Sequence, residues 1–537
     1  MVYNPLELTV LTKITMLKKG DETMSEYDVI VIGAGLGGLS CAARLSVLGY
    51  RTAVFESHTL AGGFATEFTR KGYTFDVSLH GVGGLEEGSF GQMLKGCNAD
   101  QRIVPLRKKH PYSIRWEGQI IGIPSDVQDY VQLLKDMFPA EQTAIDKLFA
   151  GIRRFVAGFS AFSSSSPGRW RKAAGLFKAG TFFRWTQMTT WEAVSQFGLS
   201  DRFTEFFTAL WPYYGLPPKR LSALYFFTPW IGYHLEGTYY IQGGAQALSN
   251  ALVAAIQSAG GEVHLRSQVS EIMLEGGKAV GVRLKKGDAY EANWIVSGIS
   301  PHHTYGRLLE HHAAARRELE AVSRLETGTS LTQLYLGLSC EPHELSITEE
   351  DLILNDVPDS ETDYGFMMSG QYTKGNWMLT NYNAMDPTLN EPGKGVIAVT
   401  FLDRLENWPT TRPEYKAKKE TVTRQILERL EQLYPGFGSK VVVAELGTPR
   451  TMQRYTANPG GAVYGYAQTV RQSGIKRLKH KSVVDRLSLV GAWTQPGGGF
   501  QGSMSSGIME ADRIAAKLGQ AERNNTFTHE TYQTPRT

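Results

Sequence analysis

Hydrophobic and polar positions fall into distinct regimes along the chain. Val29-Ile30-Val31-Ile32 is an unbroken β-branched run, the composition a parallel strand buried on both faces selects. Apolar residues then recur at helical spacing over Leu39–Leu48 and stop at Gly49, and Thr52–Phe55 reads as a second strand. Alternation over 73–79 predicts a strand before a glycine loop, 104–123 alternate like strands, and 125–157 predict helix. A helix is expected from Ala245 to about Ala259. β-pattern follows at Val263–Leu265, Val269–Leu274, Ala279–Leu284 and Glu291–Gly298, with Gly276-Gly277 as a hairpin turn. Residues 330–407 read largely as strand. Glu414–Leu433 is an amphipathic helix with Val422, Ile426, Leu427, Leu430 and Leu433 inward, closed by Pro435-Gly436. The last unit is a strand Leu487–Trp493, a glycine-rich coil and a helix to about Leu518.

The chemistry enters between the first strand and helix, at Gly33-Ala34-Gly35-Leu36-Gly37-Gly38. Gly33 permits the tight turn, Gly35 lets backbone approach a pyrophosphate, and Gly38 lets helix pack on strand. The helix N-terminus suits the anion. Glu56, closing the second strand, is placed to hold a ribose 2′-OH, and a carboxylate there favours an unphosphorylated ribose. A glycine turn alone is weak; strand, glycines, helix, strand and acid in this order make a dinucleotide site the expectation. Gly62-Gly63 resembles the second phosphate-contacting turn of FAD proteins of the glutathione-reductase and amine-oxidase superfamily, which points to FAD rather than NAD. Gly243-Gly244 lacks the same context and is not read as a second nucleotide site.

The 537 residues allow two or more domains, and 42% apolar with 20% charged residues is ordinary for a globular protein. A net charge of +3 makes no case for nucleic acid. Cys41, Cys97 and Cys340 show no CxxC spacing, so neither a disulfide framework nor a metal site is expected, in keeping with a reducing, cytoplasmic setting; Cys41 is expected in the core. No apolar run reaches the ~18–20 residues of a membrane span. Residues 1–26 read as an extension with Met24 as an alternative start, not as a signal peptide, and 520–537 as a polar tail. The 151–191 stretch is distinctive. Gly151 to Trp191 contains no Asp or Glu, yet carries Arg153, Arg154, Arg169, Arg171, Lys172, Lys178 and Arg184 among Phe155, Phe159, Phe162, Trp170, Phe177, Phe182, Phe183 and Trp185. Peripheral contact with an anionic membrane and a substrate-domain lid with core aromatics weigh equally. No recognised nucleic-acid module accompanies it.

Together, GAGLGGLSCAARLSVLGY, the glycine pair after Glu56, IVSG at 295–298 and PGGGFQGSMSSG near the end resemble the phytoene desaturase, carotenoid isomerase and retinol saturase family. Phe75–His80, Tyr214–Pro218 and Tyr233–Gly237 are more similar to its retinol-saturase and carotenoid-isomerase side. The resemblance implies an α/β Rossmann-type FAD-binding domain of the glutathione-reductase/amine-oxidase kind with an interleaved α+β substrate domain. The segments expected are 27–105, 237–305 and 441–519 for FAD binding, and 106–236 and 306–440 for substrate. Non-covalent FAD would contact Gly33, Ala34, Gly35, Gly37, Gly38, Glu56, Ser57, Gly62, Gly63, Phe64, Val269 at the adenine end, Ser297, Gly298, Gly491, Ala492, Gln501, Gly502, Ser503 and Met504. Phe64 stands where relatives often carry a polar or basic residue, and Ala492 where many flavoproteins carry an Asp. Catalytic candidates facing the flavin are His80, Tyr239 and Gln501, each with a purely structural role as its competitor. The implied activity is desaturation, saturation or isomerisation of a conjugated polyene or isoprenoid lipid, with NAD(P)H, quinone or oxygen as transient electron partner. A secondary-metabolite polyene reductase or cyclase using NADPH, a flavin amine oxidase and a non-enzymatic prenyl-lipid carrier are the alternatives.

Overall fold

The β-branched run becomes the centre of a parallel sheet. In the computed structural model, which describes residues 26–163 and 180–530, Tyr27–Ile32 lies between Thr52–Phe55 and Ala289–Ser297, parallel to both. Glu262–His264 extends the sheet beyond Thr52–Phe55, and Leu487–Leu489 pairs in parallel with Ala289–Ser297. The hairpin Val269–Glu275/Lys278–Leu284 turns at Gly276 and Gly277, both at positive φ (55° and 80°) as its tight turn demands, and joins antiparallel. Three distant stretches of chain therefore build one seven-stranded sheet. The strand Val29–Ile32 is buried on both faces, which explains why it reads as a continuous apolar run rather than an alternating one.

Helix Leu36–Val47 packs against helices Gly244–Ser258 and Phe500–Glu530. Its crossing with the last helix is glycine on glycine: a Cβ at Gly507 would lie 2.2 Å from the Gly37 carbonyl oxygen. The last helix runs to Glu530, past the end near Leu518 that the sequence suggests. Residues 1–25 and 531–537 of the expected extension and tail lie outside the described residues.

The second seven-stranded sheet takes its strands in the spatial order Val441–Gly447, Ser330–Leu338, Gly395–Asp403, Trp377–Asn381, Asp351–Leu354, Ser113–Trp116 and Gln119–Gly122. It is antiparallel except where Asp351–Leu354 meets Ser113–Trp116. Its strands carry period-2 order. Leu334, Leu336, Ile397, Val399 and Phe401 face a core closed by helix Arg412–Leu433 through Val422, Ile426 and Leu430. Val441–Gly447, grouped with the FAD segments from sequence, pairs with Ser330–Leu338 and so belongs to this sheet. The 330–407 stretch also includes helix Ser360–Met368. The helical region 125–157 is two helices, Val127–Met137 and Gln142–Ser163, parted at Phe138-Pro139 where proline cannot continue the first ladder.

An aromatic core lies beside this sheet. Phe155, Phe182 and Trp185 are buried in it with Phe207, Phe227 and Trp230, while Phe159 and Phe183 pack on its edge. Phe155, Phe159, Phe182, Phe183 and Trp185 of 151–191 thus go to the core, while Arg153, Arg154 and Arg184 are exposed. Residues 164–179 of that segment, Trp170 and Phe177 included, lie outside the described residues. Among the described residues no helix is long and apolar enough to cross a membrane.

Candidate active site

The glycine turn after the first strand is built as a cradle. Gly33, at φ +91°, donates its N–H to the Phe55 carbonyl (2.9 Å) and ties the two strand ends together. Gly35 caps helix Leu36–Val47 with no side-chain hydrogen bond, and the first turn holds no acid, which leaves its N–H groups and dipole for an anion. A Cβ at Gly35 would meet no atom within 4 Å, so the space above it is open; at Gly38 a Cβ would stand 2.1 Å from the Gly33 carbonyl oxygen. Gly38 thus serves packing, while Gly35 leaves room for a ligand. Glu56 accepts hydrogen bonds from the Ala34 N–H (2.8 Å) and the His58 N–H (2.7 Å). The Gly62 N–H donates to the Ala34 carbonyl (2.7 Å), which locks the second glycine turn to the first. The carboxy-terminal coil meets them: a Cβ at Gly37 would fall 2.6 Å from the Gly491 Cα.

These parts open onto one cavity of ≈ 1110 Å³, just above the roughly 300–1,000 Å³ of a single small-molecule pocket. It is lined by Gly33, Gly35, Gly37, Glu56, Ser57, Gly62, Gly63, Phe64, Val269, Gly298, Gly491, Ala492, Gln501, Gly502 and Ser503, and by His80. The other residues expected at the site lie behind or away from this wall. Ala34 is buried and acts through its backbone; Gly38 is in helix–strand contact; the Ser297 hydroxyl is paired with that of Thr304 (2.7 Å). Met504 is a core side chain whose carbonyl accepts from the Ser40 hydroxyl (3.1 Å). Tyr239 is a correction. It sits in a three-stranded sheet with Val82–Gly83 and Pro105–Arg107, donates to Glu86 (2.9 Å) and does not line the cavity. Gln501 lines it, with its amide drawn to the Ser89 hydroxyl (2.6 Å), itself a donor to Glu236 (2.6 Å).

His80 lines the same cavity, edge-on to Tyr213. Its Nδ1 lies 2.8 Å from the Thr380 hydroxyl and 3.4 Å from Asp351. Asp351 in turn pairs with Lys108, whose ammonium also donates to the His80 carbonyl (3.1 Å). Burial alone would raise the Asp351 carboxyl, but Lys108 and His80 overcome it and hold the group below the usual carboxylate value. An imidazole supported in this way by a carboxylate can hold or pass a proton. This network was invisible in sequence because Lys108, in an Arg-Lys-Lys run, reads as solvated surface, and its partner is 243 residues away.

The wall also carries an aromatic and aliphatic set, Tyr213, Tyr225, Tyr233, Tyr464, Met378 and Leu402. Behind the coil at Ala492, the buried Arg477 donates to the carbonyls of Tyr464 (3.1 Å), Tyr466 (3.2 Å), Thr494 (3.0 Å) and Ala492. Burial lowers its pKa to about 10. It braces two loops that both line the cavity.

A glycine cradle, an acid at the second strand end and a helix N-terminus from the far end of the chain converging on one crevice define a dinucleotide-binding flavoprotein fold. Residues 36–515 match the family described as flavin containing amine oxidoreductase, and the chain belongs to that family; its cofactor is FAD. Among characterised proteins it is similar to the chloroplastic prolycopene isomerase of Arabidopsis thaliana, 27% identical over 95% of this chain and 86% of that protein. It is similar too to the all-trans-retinol 13,14-reductase of Danio rerio, 26% identical over 84% of this chain and 80% of that one. Among solved structures, an oxidoreductase from Methanosarcina mazei shares the fold with a TM-score of 0.60 at 20% identity, over 90% of this chain and all of that one.

Proposed function

We propose that the protein is an FAD-dependent oxidoreductase that acts on carbon–carbon double bonds of a conjugated polyene or isoprenoid lipid. The observation that carries this is that one cavity is lined both by the glycine cradle and by Tyr213, Tyr225, Tyr233, Met378 and Leu402. A long apolar chain is the ligand such a wall would strip of water. The relatives' names, an isomerase of prolycopene and a reductase of all-trans-retinol, support the same substrate class.

In this reading Gly35 and its helix N-terminus hold the pyrophosphate, Glu56 the ribose, and Gly491 through Ser503 the isoalloxazine end. Bound FAD supplies hydride exchange with carbon. His80, steadied at Nδ1 by Thr380 and Asp351, holds or delivers a proton at Nε2. The tyrosine wall aligns the chain and excludes water. NAD(P)H, quinone or oxygen closes the electron balance by transient encounter. Exposed Arg153, Arg154 and Arg184 support peripheral contact with an anionic lipid surface, from which such a substrate would be drawn; co-sedimentation with anionic against neutral vesicles checks this.

The test is anaerobic mixing of the reduced and oxidised holoprotein with polyenes, following the flavin spectrum and the products. Expected is flavin reoxidation or reduction with a shifted, shortened or isomerised chromophore. Hydrogen peroxide release with amines and no response to any polyene would assign the site to amine oxidation instead.

A further inference from the structure

The amide of Gln501 is not free to turn. Gln501 lines the cavity from the first turn of the last helix. Its Nε2 donates to the Ser89 hydroxyl (2.6 Å), and that hydroxyl donates to Oε2 of Glu236 (2.6 Å). The Ser89 backbone N–H donates to the same oxygen (3.0 Å). Neither Ser89 nor Glu236 lines the cavity. A carboxylate only accepts and a hydroxyl has one proton, so Glu236 takes the proton of Ser89 and leaves its oxygen only able to accept. The Gln501 amide must then turn an N–H to Ser89. That fixes an orientation which shape alone settles poorly, because the two ends of an amide are nearly alike. The room is built in backbone: a Cβ at Gly84 or Gly88 would stand 2.2 or 2.8 Å from the Glu236 Oε2. The Oε1 is the acceptor that Gln501 keeps for a ligand.

We propose that Glu236, acting through Ser89, is a positioning residue for the flavin: it orients Gln501 so that Oε1 accepts a hydrogen bond from the isoalloxazine N3–H, the one N–H of the oxidised ring. The inference rests on the placement of the isoalloxazine end at Gly491 to Ser503 proposed above. Turned the other way, the same amide would set N–H against N–H. Reduction adds electron density to the ring and makes N3–H a poorer donor, so an acceptor there favours the oxidised form. A carboxylate outside the cavity thus sets how tightly the cofactor is held and how readily it is reduced.

The experiment titrates oxidised FAD into the full chain, measures the potential of the bound flavin, and records melting with and without FAD. Gln501→Leu is expected to weaken FAD about fivefold, the order of one neutral hydrogen bond, and to raise the potential. Ser89→Ala moves both in the same direction by less, about twofold in affinity, since a freed amide holds the right orientation about half the time. The two together cost no more than Gln501→Leu alone, because Ser89 acts through Gln501. Ser89→Thr keeps the hydroxyl and with it the parent's affinity. Glu236→Gln can donate to Ser89 as well as accept, so it no longer dictates the direction, and it follows Ser89→Ala. If the Ser89→Ala and Glu236→Gln variants melt lower both with and without FAD yet keep the parent's affinity and potential, their role is in the fold only and the relay is overturned. Additive losses or a lowered potential overturn it too. In each of these cases a weakened FAD in Gln501→Leu still leaves the isoalloxazine at this coil. If Gln501→Leu also leaves affinity and potential unmoved, that placement falls and the relay with it.

Discussion

The two large sheets reach the same cavity in opposite ways. The parallel sheet presents an edge: the carboxyl ends of Tyr27–Ile32 and Thr52–Phe55 deliver backbone N–H groups, glycine turns and one carboxylate. The antiparallel sheet presents a face, and what it offers is side chains: Leu331, Gln333, Tyr335, Met378, Thr400 and Leu402. An edge made of backbone suits any dinucleotide, since pyrophosphate and ribose are invariant. A face made of side chains is where one substrate is told from another. The generic half of the reaction is thus written in main-chain geometry and the particular half in rotamers.

If that division holds, the severest lesion lies on the side-chain half and acts through charge. Asp351→Leu strands the Lys108 ammonium, whose side chain is 1% exposed, in the interior. Loss of about 3–5 kcal/mol is expected on chemical denaturation, the usual penalty for an uncompensated buried charge, and Asp351→Leu with Lys108→Met recovers most of it. The sign with pH follows from the lowered carboxyl: its contribution is present above the ordinary carboxylate range of about 4 and is lost as pH falls toward the depressed value. Equal stability of the single and double variants would show that the pair is not what holds this wall.

On the backbone half, neighbouring glycines are expected to part company. Gly38→Ala forces a Cβ against the Gly33 carbonyl and costs about 1–3 kcal/mol of fold stability, as overpacking does. Gly35→Ala meets open space, so the ligand-free protein melts where the parent does, yet FAD binding weakens because the methyl occupies the anion's place. Parallel melting curves and flavin titrations separate the two; matching losses in both variants would erase the distinction between a packing glycine and a binding glycine.

The same division explains how much was legible in the sequence. Gly33, Gly35, Gly38 and Glu56 are local: each needs only the strand or helix beside it, so their order announced the cradle and the parallel sheet. Gly491 and Gln501 were legible through resemblance and then through a second strand–glycine–helix unit. The Asp351–Lys108–His80 cluster was not, because it depends on contacts between residues remote in sequence that no periodicity records. Tyr239 misled for the same reason. Its TYYI strand reads alike whether it faces the cavity or Glu86, and the pairing with Val82–Gly83 decides. Val441–Gly447 was misassigned because strand pattern does not say which sheet a strand joins.

Glu56 tests the generic edge by chemistry rather than bulk. Glu56→Gln keeps the size of the side chain but gives up a charged acceptor shared by the Ala34 and His58 N–H groups. Weaker FAD binding by about tenfold or more is expected, from the ~1.5–3 kcal/mol of a hydrogen bond to a charged group. Polyene binding to the protein saturated with FAD stays unchanged if edge and face act independently, and a change in it would couple them.

The smallest effect concerns pH and lies behind the second sheet. Asp363 is fully buried; its Oδ1 accepts from the Asn376 N–H (2.8 Å) and its Oδ2 has no partner. Burial raises its pKa to about 7 against the hydrogen bonds from Asn376. Glu205, bonded to Ser360 (3.1 Å), is raised likewise, to about 7. A carboxyl raised in the folded state contributes stability that is fully present below its unfolded value near 4 and is lost as pH climbs to about 7. Asn at position 363 mimics the protonated acid throughout. Asp363→Asn should therefore flatten the decline in melting temperature between pH 4 and 7, and Glu205→Gln should flatten it further by an additive amount, since the two do not share a partner. A profile as steep as the parent's in both variants would move the origin of that slope away from the side-chain half of the molecule.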